Sequence, residues 1–111
     1  ISEPMANDRP PDVLVVENER GASVVVTGEL DIATRDVLAS RLDNAMERFP
    51  HVQVDLSGVT FIDSTGLHAL LAASQTDSAS FEIVSTSETV RRLLLLTGLE
   101  DVLAPGLTSS I

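Results

Sequence analysis

Two residue spacings alternate along this chain, and the alternation restricts it to a few architectures. Val13 to Val16 and Val24 to Thr27 are β-branched runs parted by Glu17, Asn18, Glu19, Arg20 and Gly21, which reads as a hairpin with a longer polar loop. The period then changes. Leu38, Leu42, Ala45, Met46 and Phe49 line one helical face, with Asp31 or Thr34 as the candidate N-cap and Pro50 closing the helix. Val52, Val54 and Leu56 alternate with Gln53 and Asp55, which predicts a strand with one buried face. Ser57-Gly58 breaks that strand, Val59 to Ile62 continues the apolar path, and a second helical pattern opens after Asp63 with Leu67, Leu70, Leu71 and Ser74 on one face. Phe81 to Val84 reads as a fourth strand. For the last helix, Ser85-Thr86-Ser87-Glu88 has capping-box spacing, Val90, Leu93, Leu94 and Thr97 share a face, and Gly98 stands at the left-handed C-cap ahead of Leu99. Leu93 to Leu96 is wider than one stripe, so this helix is buried on two sides or turns one side to a partner. A hairpin followed by strand–helix alternation gives an α/β fold, a mixed sheet with helices, most simply all on one face.

The 111 residues support one such domain and not two. With three Phe and neither Tyr nor Trp, the core has to be built from Val and Leu. Seventeen Asp and Glu against seven Arg, with no Lys, give a formal charge of −10, a field that repels phosphate backbones and anionic lipid headgroups. Direct binding to nucleic acid or membrane is therefore not expected. The chain has no cysteine for a disulfide or a thiolate site, no apolar run near the roughly 18 residues that cross a bilayer, and no signal-peptide pattern. A cytoplasmic protein is expected. Residues 1–12, with Pro10 and Pro11 among polar groups, are expected to be flexible, and Ile1 to Pro4, ahead of Met5, read as a remnant foreign to the native chain. The domain is expected over residues 13–104, followed by a tail over 105–111.

Asp63-Ser64-Thr65-Gly66 puts a carboxylate and two hydroxyls where a helix begins. Capping of orphan N–H groups accounts for such a composition without further function. Gly66 fits that account less well, because glycine in a first turn costs about 1 kcal/mol relative to alanine and its usual benefit is close approach by another backbone or a ligand. The functional reading makes Ser64 or Thr65 an accessible acceptor for a phosphoryl group. The helix N-terminus would welcome a phosphate, whereas Asp63, with Glu29 and Asp31 as further acidic candidates, would oppose its added charge of about −1.5 to −2. Gly28-Glu29-Leu30-Asp31 reads as a strand end, a turn and an N-cap, or as a second share of a binding surface.

Enzymatic readings are weaker. Ser64 and His68 stand four apart and could meet on one helical face beside Asp63 or Asp55, but a nucleophile also needs an oxyanion site and a carboxylate orienting its base. Asp-Ser-Thr-Gly carries one residue too many for an aspartic-protease motif. The two histidines, His51 and His68, share no carboxylate at ligand spacing, so no metal is expected, and without lysine a Walker phosphate loop cannot exist. The chain is read as the substrate of a kinase, not an enzyme, and needs no cofactor of its own.

Val54-Asp55-Leu56-Ser57-Gly58-Val59-Thr60-Phe61-Ile62-Asp63-Ser64-Thr65-Gly66-Leu67 resembles the signature of STAS domains, specifically of anti-sigma factor antagonists. Gly28-Glu29-Leu30-Asp31 before the first helix and Thr97-Gly98-Leu99 after the last are similar to the same family, so the likeness spans about residues 13 to 103. It implies a four- to five-stranded mixed sheet with helices packed on one face, and a role in partner switching. On this likeness the unphosphorylated protein binds an anti-sigma factor that is also a serine kinase, freeing a sigma factor for transcription. The kinase, using ATP and magnesium, phosphorylates the serine after the motif's Asp, here Ser64, with Thr65 as the alternative, and a serine phosphatase reverses it. Asp31 and Asp63 carry over as contacts to the kinase, and Gly66 as the point of close approach. His68 departs from the family's usual small residue, adding bulk and a titratable group beside Ser64. The competing expectation is a STAS scaffold of a stress-signalling or transporter complex that is not phosphorylated, with Ser64 merely a cap.

Overall fold

In the computed structural model, which describes residues 12–19 and 21–103, β1 (Asp12–Asn18) pairs antiparallel with β2 (Gly21–Leu30) from Asp12↔Thr27 to Asn18↔Gly21. The hairpin is thus tighter than the sequence suggests. Glu17, Asn18 and Gly21, read as loop, are ladder residues, and the Asn18 side-chain oxygen accepts the Gly21 amide at 2.9 Å. The flexible segment expected over 1–12 and the tail over 105–111 lie outside the described residues, except for Asp12, which opens β1.

From β2 the chain crosses through α1 (Arg35–Arg48) to β3 (His51–Ile62), through α2 (Ser64–Ser74) to β4 (Ser80–Thr86), and ends in α3 (Glu88–Thr97) and the short α4 (Glu100–Leu103). The sheet order is β1-β2-β3-β4, with β2, β3 and β4 parallel, a mixed sheet of four strands among the described residues. Val24 and Val26 of β2, Val52, Val54 and Leu56 of β3 and Ile83 of β4 all point to the face carrying the helices, where they meet Leu38 and Leu42 of α1, Leu70 of α2 and Leu94 of α3. Each such Leu stabilises the fold by about 1.5–3 kcal/mol through burial. Across the sheet, Leu14, Val16 and Val84 remain exposed.

Ser57-Gly58 does not break β3. Asp55 opposes Val25 and Gly58 opposes Thr27, so Leu56 and Ser57 together face Val26 alone; Gly28↔Val59 and Glu29↔Phe61 leave Thr60 as a second extra residue. These two irregularities explain why the buried positions Leu56, Val59 and Ile62 fall three apart instead of two. The second one also sets the side of Phe61, which is exposed while Ile62 is buried.

α3 is capped by Ser87, whose hydroxyl accepts the Val90 amide at 3.3 Å. The capping box suggested from Ser85 to Glu88 is therefore displaced: Glu88 is the first helical residue and pairs with Arg92 at 2.9 Å. Gly98 takes the expected left-handed conformation, with φ of 73°. The broad Leu93–Leu96 run resolves into one buried residue, Leu94, with Leu93 half-buried and Leu95 and Leu96 exposed. No helix among the described residues is long and apolar enough to cross a membrane.

Candidate functional site

β2 and β3 end side by side, and the backbone amide of Asp63 donates to the carbonyl of Leu30 at 3.1 Å, one step beyond the last register pair, Leu30↔Ile62. That hydrogen bond joins Gly28-Glu29-Leu30-Asp31 to Asp63-Ser64-Thr65-Gly66, two segments far apart in the sequence.

Asp63 is the N-cap of α2. One of its carboxylate oxygens accepts from the Thr65 amide at 3.0 Å, the Gly66 amide at 3.3 Å and the Thr65 hydroxyl at 2.6 Å. The Thr65 hydroxyl above all, then the two amides, hold this carboxyl below the usual Asp range, against partial desolvation acting the other way. Ser64, the first helical residue, is exposed and forms no side-chain hydrogen bond among the described residues. Capping therefore explains Asp63 and not Ser64, and the view of Ser64 as merely a cap is corrected. Thr65 differs from it, being half-buried with its hydroxyl engaged.

Gly66 is buried, and a Cβ there would stand 2.7 Å from the Leu30 carbonyl oxygen and 2.9 Å from the Leu30 Cβ. The close approach it permits is made by the chain's own β2. Its missing side chain seats α2 on the end of that strand and so fixes where Ser64 stands.

Asp31 opens a turn over residues 31–34 that delivers the chain into α1. One carboxylate oxygen accepts from the Ala33 amide at 3.0 Å and the Thr34 amide at 3.2 Å, while the Thr34 hydroxyl donates to the Glu29 carbonyl at 2.8 Å and accepts the Asp31 amide at 2.9 Å. Thr34 is the N-cap by backbone geometry, yet its hydroxyl faces back into the turn and bonds no helix amide. Thr34 is thus a structural keystone that residue type alone did not separate from Asp31.

His68 is exposed one helical turn beyond Ser64, and no hydrogen bond joins the two among the described residues. One Asp63 oxygen is committed to Thr65 and Gly66, and among the described residues no hydrogen bond orients His68 toward Ser64. Among the described residues no three His, Asp or Glu side chains stand together as a metal site. Two apolar residues flanking the Leu30–Asp63 hydrogen bond along the chain, Ile32 in the turn and Phe61 near the end of β3, are exposed. Apolar residues carry a default assignment to the core, so nothing in the sequence marked these two.

The family model described as "Mlab, STAS domain" matches residues 13–106. The chain belongs to the STAS domain family. Among relatives of this STAS domain, the anti-sigma-B factor antagonist of Bacillus subtilis (strain 168) is 30% identical over 95 residues, covering 83% of this chain and 87% of that protein. The anti-sigma-B factor antagonist of Staphylococcus epidermidis is 38% identical over 85 residues, covering 72% of this chain and 78% of its own length. The crystal structure of an anti-sigma factor antagonist from Mycobacterium paratuberculosis superposes with a TM-score of 0.78 at 30% identity, covering 88% of this chain and 86% of that one.

Proposed function

We propose that this STAS domain is a cytoplasmic anti-sigma factor antagonist that binds a serine-kinase anti-sigma factor while Ser64 is unmodified, and is switched off by phosphorylation there. Release of the sigma factor follows from binding, and a serine phosphatase resets the switch. The observation that carries the reading is the contrast within α2's first turn: Ser64 is exposed with a hydroxyl that caps nothing, between Asp63 and Thr65, which are bonded to each other. An acceptor must be reachable and its hydroxyl free to react, and Ser64 meets both conditions, whereas Thr65 is half-buried with its hydroxyl bonded to Asp63.

The same geometry favours an electrostatic switch. Because the Thr65 and Gly66 amides already serve Asp63, they are not free to draw a phosphate down onto the helix. An added charge of about −1.5 to −2 would face outward, toward the partner, and Asp63 and Asp31 already make this end of the molecule acidic. Docking would then require stripping water from a dianion, and the bound state is lost while the fold persists.

The test is intact-mass and fragment-mass analysis after incubation with ATP, magnesium and each kinase-type anti-sigma factor of the source organism. One added phosphate, on Ser64 and absent from Ser64→Ala, is expected. A partner that binds the protein yet never modifies it would overturn the switch.

A further inference from the structure

Resting on that reading, we propose that Ile32 and Phe61 are the anchors of the docking surface, and that the partner receives them in an apolar recess rimmed by arginine or lysine. Both stand close to the Leu30–Asp63 hydrogen bond: Ile32 two residues after Leu30, Phe61 two before Asp63, and Ser64 one beyond it. Ile32 is 69% exposed and Phe61 46%. The exposure of Phe61 is set by the fold. The chain's other two phenylalanines, Phe49 and Phe81, pack against the core, whereas Phe61 is turned outward by the extra residue Thr60. Irregularities of this kind re-aim side chains beside binding sites.

Each anchor is also held rigidly. Ile32 rides on the turn tied by Asp31 and Thr34, with Thr34 itself buried, and Phe61 lies in β3 in register with Glu29. Side chains on fixed backbone surrender little entropy on docking, and aromatic anchors of this sort commonly carry binding. The charge around them specifies the rest. Phe61 is in register with Glu29, Ile32 follows Asp31 directly, and Asp63 bonds back to Leu30, so acidic residues adjoin both anchors along the chain, and among the described residues every arginine lies on α1 or α3. The nearest of them in sequence, Arg35 at the start of α1, is turned to Asp36 at 3.4 Å. A complementary surface is therefore cationic at its rim and apolar at its centre.

The experiment measures, by titration calorimetry, the affinity of the full chain for the purified anti-sigma factor of the source organism. The variants are Ile32→Ser, Phe61→Ser, Phe61→Leu, Ser64→Glu and Leu96→Ser, each checked for folding by circular dichroism. Leu96 is 79% exposed on α3 and serves as an equally apolar position away from the site. Ile32→Ser and Phe61→Ser are each expected to weaken binding about tenfold or more, Phe61→Leu by only a few fold, and Leu96→Ser by less than about twofold. Raising sodium chloride from 50 to 500 mM should weaken the wild-type complex, and an affinity indifferent to salt would overturn the cationic rim. If both serine variants bind like wild type while Ser64→Glu does not bind, the anchors are wrong and the switch stands. If wild type binds no anti-sigma factor, the switch falls, and this proposal with it.

Discussion

At Asp63 a single carboxylate oxygen gathers three donors, so its removal releases two amides and a hydroxyl together. Asp63→Ala should lower unfolding stability in urea by about 1 kcal/mol, the usual cost of a lost N-cap, while Ser64→Ala stays within about 0.5 kcal/mol of wild type. The opposite ranking would mean that Ser64 supports the helix. Asp63 also predicts a pH dependence whose sign follows from its lowered folded-state pKa. A carboxyl of this kind stabilises the fold fully above its unfolded pKa, and the contribution fades as pH falls through the folded value. Compared with Asp63→Asn, wild type should hold an advantage at neutral pH that shrinks on acidification below about pH 4, measured as the difference in urea midpoints.

The elements that make the site do so through one tight contact, Gly66 of α2 against Leu30 of β2. Gly66→Ala should push helix and strand apart at a cost of about 1–3 kcal/mol, and should also blunt phosphorylation of Ser64, because the helix start moves. A variant as stable and as readily modified as wild type would show that the packing yields. How far these elements were legible depended on what marks them. The strands and α1 to α3 follow from periodicity, and the lead-ins to α1 and α2 from turn and cap residues, whereas the single turn of α4 is too short to show a period. The extra residues in β3 were not legible, since Ser57-Gly58 has the composition of a loop and Thr60 carries no signal of its own; only the register against β2 reveals them. The start of α3 slipped for a related reason, because a run of Ser, Thr and Ser offers several caps and the ladder of β4 decides among them. Ser64 was legible as a candidate, yet its separation from Thr65 was not, because it depends on which hydroxyl reaches Asp63.

Over the whole molecule, charge and topology divide the surface. The described arginines sit on α1 and α3, with Arg48 reaching Glu17 and Arg91 reaching Glu100, whereas the strand ends around Ser64 are left acidic. Exposed pairs of this kind add little stability, about 0–1 kcal/mol each, so their effect is on how the molecule presents itself and not on whether it folds. The parallel pairing of β2 with β3 carries a further consequence. The turn bearing Ile32 and the helix bearing Ser64 become neighbours only when the α1 crossover is complete, so what a kinase would meet is a shape and not a string of letters. A synthetic peptide spanning residues 57–72 should accept phosphate at least about a hundredfold less efficiently than the folded chain, in keep with the loss of positioned contacts. Comparable rates, read from initial velocities, would mean that the enzyme reads a linear motif. If they differ as expected, inserting that stretch into an unrelated loop will not transfer the response, and a controllable module for another protein must bring the entire domain with it.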